Sequence, residues 1–104
     1  MFVLEFTETA WHQEEIIGRG RNEGLKKQLR KTLGYLQTNP RHPSLNTHEY
    51  RSLPHPTKPY EKVFEAYAQN NTPSAYRAFF VYGSVKKPQT PGKVLTIIAI
   101  TPHP

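Results

Sequence analysis

Arg77 interrupts an aromatic and apolar run, Ala75-Tyr76-Arg77-Ala78-Phe79-Phe80-Val81-Tyr82. A guanidinium in such company is either an ion-pair partner or a fixed cation for an anionic substrate. Upstream, Glu65 and Tyr67 alternate with Phe64, Ala66 and Ala68. Strand alternation puts these two sets on opposite faces. His48 comes earlier, and His103 stands between Pro102 and Pro104 after the apolar run 94–100. If Tyr76, Ala78 and Phe80 are core, Arg77 shares an open face with Glu65 and Tyr67. His103 joins them by parity with Ile97, Ala99 and Thr101, and His48 arrives from the preceding segment. These groups are what metal-free RNA cleavage needs. A base takes the 2′-hydroxyl proton, a fixed cation stabilises the phosphorane, and an acid protonates the departing 5′-oxygen. Each also has a plain structural role: Arg77 can pair with Glu65, Tyr67 can pack with its hydroxyl in water, and either histidine can be a surface residue.

Other chemistries find little support. His42, His48, His55 and His103 show no His-x-x-x-His spacing and no partnered carboxylate motif, so neither metal nor cofactor is expected. The chain has no cysteine, which removes disulfides and thiolate sites. No Ser nucleophile motif is present. Gly18-Arg19-Gly20-Arg21 reads as a basic loop between helices, not as a phosphate loop after a strand.

The elements that must position these groups are readable from periodicity. Phe2, Leu4 and Phe6 alternate as a short first strand. Thr7 or Thr9 can cap a helix over residues 8–18 carrying Ala10, Trp11, Ile16 and Ile17. Gly18, Gly20 and Asn22 then break the chain. Leu25, Leu29, Leu33 and Leu36 lie on one face of a second helix spanning residues 23–38, which Asn39-Pro40 ends. Five of the ten prolines fall between Pro40 and Pro59, where the chain should be extended, with at most a short strand near 47–51. Three strands follow at 62–69, 75–82 and 94–100, separated by loops at 70–73 and 83–92. The order predicts one α+β domain over residues 1–104. Its sheet would have four to five mostly antiparallel strands, with two N-terminal helices packed on one face.

At 104 residues the chain is long enough for one modest core. Fourteen Lys and Arg against eight Asp and Glu give a net charge of +6. That surplus favours a polyanionic partner, nucleic acid or an acidic protein, although it also serves simple solubility. Lys26, Lys27, Arg30 and Lys31 cluster on the second helix, and Arg41 and Arg51 follow. They form a candidate RNA-binding surface, or a solvated helix face. No apolar run is long enough to cross a bilayer, and Met1-Phe2-Val3-Leu4-Glu5 lacks the basic start of a secretory signal. A cytoplasmic protein with no membrane partner is expected.

Across nearly the whole chain the layout resembles the RelE/ParE toxin superfamily. The carrying pieces are Leu36-Gln37-Thr38-Asn39-Pro40, Arg41-His42-Pro43-Ser44-Leu45-Asn46-Thr47-His48, Ala75-Tyr76-Arg77-Ala78-Phe79-Phe80 and Ile100-Thr101-Pro102-His103. The resemblance implies the toxin of a toxin–antitoxin pair, usually an endoribonuclease cutting translated mRNA on the ribosome without metal. It also implies a small, often acidic antitoxin as partner. In that light Arg77 matches the arginine that supports the scissile phosphate, and His103 matches the general acid. His48, Glu65 or Tyr67 is left as the base. The chain departs from the pattern where other members carry a basic pair facing Arg77. Two alternatives therefore stand beside the nuclease: a gyrase inhibitor of the ParE type, and a non-toxic basic module that binds RNA or acidic proteins.

Overall fold

The computed structural model describes residues 1–70, 74–90 and 92–102. The element order is β1 (Val3–Phe6), α1 (Glu8–Arg19), α2 (Glu23–Thr38), a short 3-10 turn (Pro43–Leu45), β2 (His48–Glu49), β3 (Phe64–Tyr67), β4 (Tyr76–Tyr82) and β5 (Val94–Pro102). The strands form one sheet in the order β1-β5-β4-β3-β2, with β1 parallel to β5 and every other pair antiparallel. This is the expected α+β fold. No helix among the described residues is long and apolar enough to cross a membrane.

Local chemistry sets the helix starts. Thr7 caps α1 by accepting the Ala10 N–H, and Asn22 caps α2 by accepting the Leu25 N–H. Of the two threonines able to cap α1, Thr7 takes the role. Leu25, Leu29 and Leu36 are buried together with Ala66, Ala78, Phe80, Leu95, Ile97 and Ile100. Full burial of each leucine contributes roughly 1.5–3 kcal/mol. Both helices therefore share one face of the sheet.

The opposite face departs from expectation. Alternation predicts an open face, yet Val63, Phe79, Val81 and Ile98 form a second apolar cluster there, covered in part by Tyr50 and Leu53. The proline-rich segment is the cover. It is closed at its base by the Tyr50 N–H donating to the Val63 carbonyl at 2.8 Å, and the Tyr50 ring packs 4.9 Å from Phe79.

The strand parity also changes along β5. Phe79 pairs with Ala99 but Phe80 pairs with Ile97, so Ile98 is an extra residue and the strand is bulged there. Ile97 consequently lies in the helix-side core while Ala99 packs on the other face. The expectation that Ile97, Ala99 and Thr101 share a face is corrected. Ala99 and Thr101 do face away from the helices, the latter opposite Arg77, and the bulge is the reason. Beyond the end of β1, two side chains from the helix side bond to the free edge of β5. Thr7 Oγ1 donates to the Ile98 carbonyl, and Gln13 Oε1 accepts the Ile100 N–H at 2.6 Å.

His55 orders one turn of the proline-rich lobe. Its Nδ1 accepts the backbone N–H groups of both Thr57 and Lys58, at 3.1 and 3.0 Å. An acceptor nitrogen must be unprotonated. Burial lowers the His55 pKa below its ordinary 6.5, with nearby Lys58 acting the same way and Glu61 opposing. Because the folded value is the lower one, the contribution of neutral His55 to this turn is complete above 6.5 and is lost as the pH falls through the folded value. Amide exchange protection at Thr57 and Lys58 is therefore expected to collapse on mild acidification while the sheet amides stay protected. Uniform protection down to about pH 4, well below the ordinary histidine range, would contradict this.

Candidate active site

The cluster is built from the short segment after α2 and the two strands it meets. Thr47 Oγ1 donates to the Pro40 carbonyl at 2.7 Å, folding the chain back on itself. Asn46 adopts the left-handed conformation, φ 49° and ψ 43°, which asparagine tolerates better than most residues. This turn carries His48 into β2, directly opposite Glu65 of β3. Tyr67 of β3 faces Arg77 of β4, which in turn faces Thr101 of β5.

Four of the five expected catalytic residues thus meet on one face. His48 Nε2 lies 2.7 Å from Glu65 Oε1, and Arg77 Nε lies 3.7 Å from Glu65 Oε2. The Arg77 guanidinium stacks 3.7 Å from the Tyr67 ring centroid, and His48 meets the same ring edge-on at 5.9 Å. Arg77 Nη1 donates to the carbonyls of Gln69 and Ala75, while Nε is buried with no hydrogen-bond partner among the described residues. His103 lies outside the described residues.

Exposure separates the roles these groups can take. The Glu65 side chain is 1% exposed, Arg77 11% and His48 46%. Glu65 is thus beneath the surface, behind its neighbours, while His48 is the most exposed of the three. His48 Nδ1 is 2.9 Å from the Asn46 carbonyl, so both ring nitrogens face oxygen. A carbonyl oxygen can only accept, so Nδ1 carries a proton here. Nε2 faces the buried Glu65 carboxylate, beside the Arg77 cation stacked on Tyr67.

The expected RNA-binding residues do not form a single stripe. Lys26 pairs with Glu23 at 3.0 Å and, with Arg30, lines a groove between α1 and α2 that also holds Glu14, Ile17 and Leu33. Burial raises the Glu14 pKa in that groove. Lys27 and Arg41 are exposed, and Arg51 lies 3.5 Å from Glu49. Lys31 alone of the helical cations lines the cleft that reaches Tyr67. Among the described residues no cluster of His, Cys, Asp or Glu is suited to hold a metal ion.

Sequence reasoning missed the backbone partners, the carbonyls of Asn46, Gln69 and Ala75. Only Asn46 left a signal, as a residue type tolerant of the left-handed turn. A helix hairpin covers one face of a five-stranded, mostly antiparallel sheet and an arginine–carboxylate–histidine cluster lies on the other, which makes this a small α+β fold with a polar cluster on the face away from the helices. The structure superposes on that of a YoeB/ParE toxin from Agrobacterium tumefaciens with a TM-score of 0.66, over 100% of both chains, at 12% identity. No family model matches the sequence, and no curated protein does.

Proposed function

We propose that this protein is the toxin of a toxin–antitoxin pair and a metal-independent endoribonuclease acting on mRNA, on the ribosome. The observation that carries the reading is the convergence of His48, Glu65, Tyr67 and Arg77 on one sheet face of a toxin-type fold. In this reading Arg77 stabilises the phosphorane. A substrate 2′-hydroxyl replaces the Asn46 carbonyl at His48 Nδ1, whose own proton passes to solvent; the neutral ring, with Nε2–H held by Glu65, then takes the hydroxyl proton on Nδ1 as base. His103 protonates the departing 5′-oxygen. The bond to that oxygen breaks as the 2′-oxygen bonds phosphorus, leaving a 2′,3′-cyclic phosphate and a 5′-hydroxyl. Lys31 supports the adjoining RNA. Lys26, Lys27, Arg30, Arg41 and Arg51 supply general attraction, and a small acidic antitoxin is the partner.

The test is inducible expression followed by mapping of mRNA ends on translating ribosomes. New 5′-hydroxyl ends inside coding regions are expected within minutes. One observation favours a second reading, a gyrase inhibitor of the ParE type: Arg77 is wrapped by two carbonyls, a tyrosine ring and a carboxylate, as a structural arginine would be. DNA-damage signalling with intact mRNA would select that reading and sink the nuclease.

A further inference from the structure

A second feature adjoins the cluster on its α2 side. Gln28, Lys31 and Tyr35 of α2, Ser44 of the 3-10 turn, and Tyr67 and Asn70 at the end of β3 line an open cleft. Among the described residues no carboxylate lines it. Tyr67 belongs to both places, since its ring carries Arg77 on the cluster side. Tyr35 is held by a stacked His42 ring, with centroids 3.9 Å apart and planes inclined by 17°. The His42 ring is fixed in its turn, because its Nδ1 accepts the Ser44 N–H. The cleft therefore combines an anchored aromatic ring, a cation and two side-chain amides.

The amide of Gln28 has a defined orientation, set by Gln69. The Tyr76 backbone N–H donates to Gln69 Oε1, so Gln69 must present its NH₂ group at the other end. That NH₂ donates to Gln28 Oε1 at 3.1 Å. Gln28 Oε1 is occupied in this way, and what Gln28 has left to offer is its own NH₂. The same Gln69 accepts Arg77 Nη1 on its carbonyl, so one residue links the Arg77 cation to the cleft wall. Gln28 and Lys31 make the helix side of the cleft a wall of donors.

The geometry points to this cleft as a subsite for one unpaired nucleobase of single-stranded RNA, stacked on Tyr35 and read by Gln28 and Lys31. Donors on the wall favour bases that present an exocyclic carbonyl on that edge, guanine (O6) or uracil (O4), over adenine and cytosine, whose exocyclic amino groups there are themselves donors. An unpaired base is required because stacking needs a free ring face. The inference rests on the nuclease reading for what the neighbouring cluster does, but the binding itself does not need cleavage.

The experiment exploits that separation. Short fluorescent oligoribonucleotides with 2′-deoxy sugars throughout their central positions cannot be cut by 2′-hydroxyl attack, and their binding is followed by anisotropy. Oligomers with guanine or uracil at the centre are expected to bind several-fold tighter than those with adenine. Tyr35→Ala is expected to weaken single-strand binding about tenfold and to leave duplex RNA binding unchanged, while Tyr35→Phe retains affinity. Gln28→Glu turns a donor into an acceptor and is expected to reverse the base ranking. Equal binding of all four bases by the wild type, or an unchanged ranking in Gln28→Glu, overturns the subsite. So does full affinity in a folded Tyr35→Ala. If mRNA stays uncut on expression, the nuclease reading fails alone and these binding outcomes still judge the cleft. If mRNA is cut but Gln28→Glu does not shift the base at the cleavage site, the subsite fails and the nuclease stands.

Discussion

Replacing Arg77 with alanine is expected to abolish RNA cleavage and to destabilise the protein in the same stroke. In the proposed nuclease, the catalytic loss follows from removing the cation assigned to the phosphorane. Loss of a single preorganised charge-stabilising donor commonly lowers turnover by roughly 100- to 1,000-fold. The structural loss follows from what Arg77 holds: two backbone carbonyls, the face of Tyr67 and the buried Glu65 carboxylate. Removing one partner of a buried pair costs about 3–5 kcal/mol, because the other charge stays behind. Arg77→Lys separates the two effects. It retains the charge facing Glu65 but lacks the planar fork that reaches two carbonyls while stacking on a ring. Urea denaturation should place Arg77→Lys within about 2 kcal/mol of wild type, with cleavage still lost. A folded Arg77→Ala that cleaves RNA at the wild-type rate would remove Arg77 from the mechanism.

Glu65→Ala should be the most damaging single change at the cluster. Glu65 is buried, sits 2.7 Å from His48 and faces an Arg77 Nε that has no hydrogen-bond partner among the described residues. Without the carboxylate, a buried guanidinium loses its counter-charge and a cavity opens beneath His48. A loss of about 3–5 kcal/mol is expected from urea denaturation. Glu65→Gln fills the cavity but leaves the guanidinium without its counter-charge, so it should recover only the packing part of that stability. As a positioning residue, Glu65 should affect turnover more than RNA affinity, so Glu65→Gln is expected to lower kcat with KM nearly unchanged. Glu65→Asp keeps the negative charge and should restore part of kcat. A parallel loss of kcat and affinity in Glu65→Gln, with Glu65→Asp no more active than Glu65→Gln, would mark a purely structural carboxylate.

Much of the fold can be read from residue spacing because its signals are local. The leucines of α2 recur at helical spacing, and their helix runs over Glu23–Thr38 as expected. Phe64, Ala66, Tyr76, Ala78 and Phe80 alternate without interruption, and all pack on the helix side. The same alternation assigns Glu65 and Arg77 to a common face, and they meet there. What cannot be read depends on non-local packing. Nothing in the Pro40–Pro59 composition says that Tyr50 and Leu53 cover Phe79. Nor does residue type reveal that both His48 nitrogens meet oxygen, since one of those oxygens is a backbone carbonyl set by the Asn46 turn. The bulge at Ile98 is silent for the same reason. Val94–Ile100 is apolar on both faces, so its composition carries no parity to break.

That bulge works as a phase shift within a single strand. Before it, Leu95 and Ile97 obey the demands of the helix-side core; after it, Ile100 resumes that duty, and Ala99 and Thr101 are released to the other side. Flattening the bulge without removing a residue would return β5 to strict alternation and exchange the two sides for everything downstream, turning Thr101 away from Arg77, whereas deleting Ile98 would remove the bulge and leave Thr101 where it is. The early half of β5 and its late half are consequently two separable modules joined by one unpaired residue. Substitutions that repack the helices can accumulate in the first without altering what the second presents beside Arg77.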